Sequence, residues 1–231
     1  MAGCQSVSWT YNEPTVWYEY TYDGGARLAK EEGLGGTSYV TNGYITPEAL
    51  ENIAPPYLDA FSVDIKGFSE AFYREICGAK LAPVLETSRL AKELGIHVEV
   101  VNLVIPTHND SPDEIRELSR WVYENLGKDT PPLHFNRFHP HYEMKHLPPT
   151  PINTLDRARS IAIEEGMRFV YIGNVPGHPH ENTYCPECGS LLIARGFFEV
   201  QEYNISPDKT CPKCGETIPI TGEYRKSSGM I

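Results

Sequence analysis

Short apolar, β-rich runs alternate along this chain with segments of helical spacing, and six such runs can be counted: residues 6–10, 37–41, 58–63, 97–105, 133–138 and 168–172. No other feature narrows the possible fold as much. Helical segments connect the runs: 15–32, ending at Gly33; a segment opened by Thr46-Pro47-Glu48; 69–76; 83–94, closed by Gly95; one opened by Ser111-Pro112-Asp113-Glu114 and running to Leu126 and Gly127; and 152–165, closed by Gly166. Ser or Thr followed by Pro is an N-cap with a proline at the first helical position, Glu114 has capping-box spacing, and a terminal glycine accepts the left-handed conformation that ends a helix. Strands alternating with helices at short spacing build right-handed β-α-β units on a mostly parallel sheet. The expected class is α/β, a partial (β/α) TIM-like barrel, since six strands fall short of the eight that close such a barrel. Either the sheet is open, or the barrel is partial, or strands are missing from the beginning. The first run starts almost at residue 1 with nothing before it to cover its edge, and an uncovered apolar edge is a pairing liability.

Three of these runs finish in polar clusters: Tyr11-Asn12-Glu13-Pro14, Thr41-Asn42-Gly43-Tyr44 and Asp64-Ile65-Lys66-Gly67. In β/α barrels the chemistry gathers where the strands finish, so these clusters read as functional and the chain as an enzyme or part of one. Asp64 and Lys66 are two apart, which puts both on one side of a strand while Ile65 points into packing. Taken alone, the pair is equally an ordinary surface ion pair, and Asn42-Gly43 is a turn signal.

The 231 residues carry 31 acidic against 20 basic side chains, a formal net charge of -11, with no Lys/Arg block. A duplex-binding surface needs clustered positive charge, so nucleic acid is not expected as a main partner. No apolar run is long enough to cross a membrane and the N-terminus lacks the form of a secretion signal, so a soluble, cytoplasmic protein without a membrane partner is expected.

Of six cysteines, four form two knuckles, Cys185-Pro186-Glu187-Cys188-Gly189 and Cys211-Pro212-Lys213-Cys214-Gly215. Two such pairs make a tetrahedral four-thiolate site, which suits structural zinc, with a rubredoxin-like iron as the other candidate ion. The intervening segment 191–203, with Phe197, Phe198, Val200 and Tyr203, supplies the hairpin of a zinc ribbon. The expected organisation is a partial barrel over 1–182 and a Cys4 zinc ribbon with its tail over 183–231. Cys4 and Cys77 stand alone and read as small apolar residues. His139-Pro140-His141 and His178-Pro179-His180 suggest a metal hydrolase, but they lack a nearby acidic ligand and read as loop histidines.

Trp9-Thr10-Tyr11-Asn12-Glu13-Pro14 admits a glycosidase reading in which Glu13 is the acid/base. Such enzymes need a second carboxylate across the sugar. The segment where it would sit, Val40-Thr41-Asn42-Gly43, has no acid, and Asp64 has a lysine for company.

All three clusters, together with residues 102–110, His134-Phe135-Asn136-Arg137-Phe138-His139-Pro140 and the terminal knuckles, resemble in their order and spacing the radical S-adenosylmethionine (SAM) enzymes. The group most resembled is the AmmeMemoRadiSam system radical SAM enzyme family, related to pyruvate formate-lyase activating enzyme, and the resemblance covers essentially the entire chain. It implies a barrel of the radical SAM type lacking its first strand, with SAM, a [4Fe-4S] cluster and zinc as cofactors. Asn12 and Glu13 match the motif whose carboxylate holds the amino group of SAM, a contact suited to a charge-assisted hydrogen bond. Asp64 and Lys66 match the Asp-x-Lys motif, in which the lysine meets the SAM carboxylate and the aspartate helps fix the pocket. Asn42 and His139 match positions near the ribose, adenine or reacting end of the cofactor. The implied activity is reductive cleavage of SAM to a 5′-deoxyadenosyl radical that abstracts hydrogen from a substrate. Implied partners are Memo-like and AMMECR1-like proteins.

One departure is large. The family binds its cluster through Cys-x-x-x-Cys-x-x-Cys, and no such spacing occurs here. The expectation is a fragment, inactive alone, whose N-terminal portion is missing or separately encoded. A non-catalytic docking protein with a structural zinc is the other class left open.

Overall fold

The structure, a computed structural model, describes residues 6–127, 132–196 and 199–224. Among these, six strands lie parallel in chain order: β1 (Ser6–Trp9), β2 (Gly36–Thr41), β3 (Ala60–Asp64), β4 (His97–Val104), β5 (Leu133–Arg137) and β6 (Val170–Gly173). Each strand pairs with the next, and β1 and β6 do not meet, so the α/β sheet is open. The helices α1 (Arg27–Glu31), α2 (Pro47–Ile53), α3 (Glu70–Phe72), α4 (Leu81–Glu93), α5 (Pro112–Leu126) and α6 (Ile152–Glu164) fill the connections. A strand at its pleat sends alternate side chains to opposite faces. Tyr39, Phe61, Val63, Val100, Phe135 and Ile172 are buried against the helices, whereas Ser38, Val40, Ser62, Glu99, His134 and Tyr171 on the other face keep solvent contact.

The expected caps form. Thr46 Oγ1 accepts from Ala49 N at 3.3 Å and Ser111 Oγ from Glu114 N at 3.2 Å. Glu114 does not close a capping box; its carboxylate accepts from Phe68 N at 2.6 Å and so pins the loop after β3 to α5. Gly33 is left-handed, and Leu34 N donates to Ala29 O at 2.9 Å, the bond that closes a helix at such a glycine.

Four expectations on element shape need correction. The helix over 15–32 is a composite: a 3-10 turn at Pro14–Trp17, a wide π-helical stretch at Tyr20–Ala26, and only then α1. Gly25 lies flat on Trp9, where a Cβ would stand 2.3 Å from the indole, so the irregular stretch sits where backbone packs directly on a ring. The segment 69–76 is likewise one short turn of α3 followed by π-helical Tyr73–Cys77. The third strand begins at Ala60 rather than at 58, and β1 is not an apolar edge, since Ser6 and Ser8 are exposed.

Beyond β6, β7 (Thr183–Tyr184), β8 (Leu191–Gly196) and β9 (Glu199–Tyr203) form a separate antiparallel sheet in the order β7-β8-β9. The hairpin was legible and β7 was not, being two residues long. A second small core gathers Cys185, Leu192, Ile193, Ile205, Cys211 and Ile218. Cys4, Phe197 and Phe198 lie outside the described residues.

Candidate functional site

The carboxyl ends of β1 and β2 are tied together by Glu13. Its Oε1 accepts from Thr15 N at 3.3 Å, Thr15 Oγ1 at 3.2 Å and Thr41 Oγ1 at 2.6 Å, while Oε2 accepts from Asn42 N at 2.7 Å. A carboxylate has about four lone-pair sites. Oε2, with one donor, has room for another. Asn12 is exposed beside it. Gly43 follows Asn42 in the left-handed conformation, and a Cβ there would stand 2.7 Å from Val63 Cγ2, so the turn that presents Asn42 needs a glycine for both reasons.

Asn42, Asp64 and Lys66 line one cavity of about 360 Å³ at the ends of β2, β3 and β4, together with Tyr44, Tyr73 and Cys77 and an apolar wall that includes Phe72, Ile76 and Ile105. Lys66 Nζ donates to Asp64 Oδ2 at 2.9 Å, and Ile65 between them is fully buried, as the alternation requires. Lys66 and Asp64 keep 40% and 32% of their side-chain exposure, so both charges remain available to a ligand. The volume and the mix of apolar wall with few polar groups are those of a small-molecule site. Glu13 is not itself a lining residue; it stands behind Asn42. His139 is elsewhere: exposed after β5, its Nε2 lies 3.4 Å from Asn174 O, and it does not line the cavity.

The residues that set Lys66 in place escape a pattern reading. Tyr73 Oη accepts from Lys66 N at 3.1 Å, and burial pushes its phenol pKa well up, so the oxygen is a neutral acceptor. Buried Asn109 donates through Nδ2 to Lys66 O at 2.6 Å and to Leu103 O at 2.9 Å, and accepts from Ile105 N at 2.6 Å. It clamps the ends of β3 and β4. Its only trace in the sequence is a place in the polar stretch after the fourth run.

Cys77 is a half-buried thiol at the cavity wall, with its pKa raised by burial against the opposing pull of Lys66. The other four described cysteines meet at one point. The Sγ atoms of Cys185, Cys188, Cys211 and Cys214 lie within 4.8 Å of one another, with 3.6 Å between Cys185 and Cys214 and 3.7 Å between Cys188 and Cys211. Thiolates bound tetrahedrally at about 2.3 Å stand roughly 3.8 Å apart, so the set fits a four-coordinate ion. Both knuckles are built alike. Gly189 N donates to Cys185 O and Gly215 N to Cys211 O at 2.9 Å each, and Cys185 N donates to Ser190 O and Cys211 N to Glu216 O at 2.8 Å each. Gly189 and Gly215 are left-handed, which lets the amides turn back on the first cysteine.

A further cluster, unforeseen from sequence, joins the sheet to the small module. Glu99 accepts from His97 Nε2 at 3.2 Å and from His134 Nε2 at 3.0 Å. His134 stacks on Tyr171 with centroids 5.1 Å apart, Tyr171 Oη lies 3.0 Å from Thr183 Oγ1, and Arg195 sits 5.6 Å over the Tyr171 ring. Burial raises the Glu99 pKa, but the hydrogen bonds from His134 and His97 outweigh it and hold the carboxyl well below its ordinary range.

No described helix is long and apolar enough to cross a membrane. An uncharacterized protein of Methanocaldococcus jannaschii is 50% identical over 218 residues, which cover 94% of this chain and 63% of that protein, so the chain spans under two thirds of this relative's length. Among solved structures, a domain of pyruvate-formate lyase-activating enzyme from Bacteroides vulgatus superposes with a TM-score of 0.62 at 14% identity, covering 73% of this chain and 98% of that one. SuiB from Streptococcus suis bound to S-adenosylmethionine gives 0.56 at 18% identity, covering 73% and 38%. At such identities these two speak for the fold alone. Residues 1–122 match the family model of the Radical SAM superfamily, and with the parallel sheet and the polar strand ends in that same stretch, the chain belongs to this superfamily.

Proposed function

We propose that the cavity at the ends of β2 to β4 binds S-adenosylmethionine and that the chain is the cofactor-pocket portion of an activating-enzyme-like radical SAM protein of the AmmeMemoRadiSam group. The observation that carries this is the meeting of Asn42, Asp64 and Lys66 in one cavity at adjacent strand ends, in a chain of this superfamily. The residues suit the ligand. Lys66 offers an ammonium to a carboxylate, and Glu13, which does not line the cavity, acts through the Asn42 turn that it holds. The apolar wall with Ile76 and Ile105 suits a base or a methionine chain. SAM supplies, once reduced, the 5′-deoxyadenosyl radical of the family chemistry. The chain's own residues orient it: Asp64 holds the Lys66 ammonium in place, Tyr73 and Asn109 fix the Lys66 backbone, and Glu13 sets the Asn42 turn. His139, away from the cavity, is assigned no contact with the cofactor.

A [4Fe-4S] cluster does not fit the thiols of the described residues. Four of the five described cysteines converge on one point in the small module, and Cys77 is single. The 231 residues contain no Cys-x-x-x-Cys-x-x-Cys spacing. By this reading the chain alone binds SAM and does not reduce it, and the Cys4 centre holds structural zinc. Memo-like and AMMECR1-like partners belong to the same proposal and rest on the resemblance alone. The glycosidase reading is not favoured, since Glu13 already accepts four hydrogen bonds and braces two strands.

Calorimetry with SAM tests the proposal. Binding in the micromolar range, about -8 kcal/mol, is expected, weakened about tenfold or more in Lys66→Met. Absence of binding by the folded chain sinks it.

A further inference from the structure

A second cavity, of about 590 Å³, lies between the α6–β6 unit and the first cysteine knuckle. We propose that it binds a small organic molecule through an oxyanion head group, a phosphate or a carboxylate, held by Arg159, His180 and Tyr184. Three polar groups line it with hydrogen-bonding capacity unused among the described residues. Arg159 on α6 is half-buried, and its Nε donates to Val170 O at 3.1 Å, but its two Nη groups have no partner among the described residues. The ring nitrogens of His180 have none either, and its Nδ1 is fully buried. The Tyr184 hydroxyl likewise has none. A guanidinium taken partly out of water without an anion is unfavourable, and a bidentate oxyanion is the group that best satisfies its fork.

Of the neighbouring acids, Glu187 and Glu216 are engaged by Arg168, while Asp156 acts on Arg159 through charge without a hydrogen bond to it and also approaches His178. Asp156 lies 3.4 Å from His178, and Glu187 and Glu216 are at 3.2 and 2.5 Å from Arg168. A half-buried guanidinium whose fork makes no hydrogen bond to an acid among the described residues, in a chain of net charge -11, makes this cleft the place where an anion is recognised. The volume is far more than one ion needs, hence the organic body, for which Ile163 and Met167 give apolar wall. The cleft shares no lining residue with the cavity at the ends of β2 to β4, so it stands whether or not SAM binds there.

The experiment uses the full chain with its metal loaded. Inorganic phosphate and, separately, succinate are titrated at low ionic strength while the His180 imidazole is followed by NMR and heat is measured by calorimetry. Saturable binding of either probe below about 10 mM, weakened tenfold or more in Arg159→Gln and measurably in Tyr184→Phe at unchanged metal content, is expected. The stronger probe identifies the head group. If Arg159→Gln fails to fold, Arg159→Lys, which keeps the charge and loses the fork, takes its place and must weaken binding. Saturation by neither probe overturns the inference, as does binding that these variants leave intact.

Discussion

At the scale of single residues, the site divides into groups that would meet a ligand and groups that hold those groups still. Lys66 is of the first kind. Its ion pair with Asp64 is partly solvated, and such pairs contribute about 0–1 kcal/mol, so Lys66→Met should leave the denaturation midpoint almost unchanged while SAM affinity falls. Tyr73 is of the second kind: Tyr73→Phe strands the Lys66 amide and should cost about 1–3 kcal/mol, with weaker SAM binding as a secondary effect, both readable by urea melts and calorimetry. Lys66 was legible because its motif is contiguous. Tyr73 was not, since it reaches the Lys66 amide from a different element. Glu99 adds a pH dependence. Its pKa is depressed in the folded chain, so its contribution is present above the unfolded value and is lost as pH falls below it. Between about pH 5 and pH 3 the denaturation midpoint should drop, less steeply in Glu99→Gln; equal slopes would show that the two histidine contacts do not hold this carboxylate.

At the scale of elements, what locates the site is how strand ends are fastened to each other. Glu13 joins β1 to β2, and Asn109 joins β3 to β4. Asn109→Ala removes three hydrogen bonds to backbone groups, one buried and two partly buried, and is expected to destabilise the chain by roughly 3 kcal/mol, enough to shift its thermal midpoint by several degrees. Gly25→Ala drives a Cβ into the Trp9 indole and should cost about 1–3 kcal/mol, whereas Gly24→Ala, whose nearest neighbour is the Tyr20 ring at 3.7 Å, should not. That contrast, measured by chemical denaturation, separates ring contact from general loss of glycine. Helix and strand existence followed from periodicity and caps at nearly every element. The composite shape of 15–32 did not, because the Trp9 contact that accompanies it comes from another part of the chain.

At the scale of the whole molecule, two cores of unequal size sit side by side, and the smaller is built around four clustered cysteines. Its six buried residues include two of the four cysteines, which leaves it little apolar surface, and under the proposed zinc reading it would rely on the ion. Chelation should release about one equivalent of zinc and abolish amide protection in β7 to β9 while β2 to β5 stay protected; loss of both together would show a single cooperative unit. The alternation of strand and helix, the paired cysteine knuckles and the polar strand ends were determined by the sequence itself, since each is written in residues that lie close together along the chain. Tertiary structure alone decided that Glu13 stands behind Asn42 rather than in the cavity, that His139 points away, and that Arg159 and His180 share a cleft. The reason is distance along the chain. Periodicity and capping act over a few residues, but which side chains share a cavity depends on how separate strands and helices pack, and no local pattern encodes that.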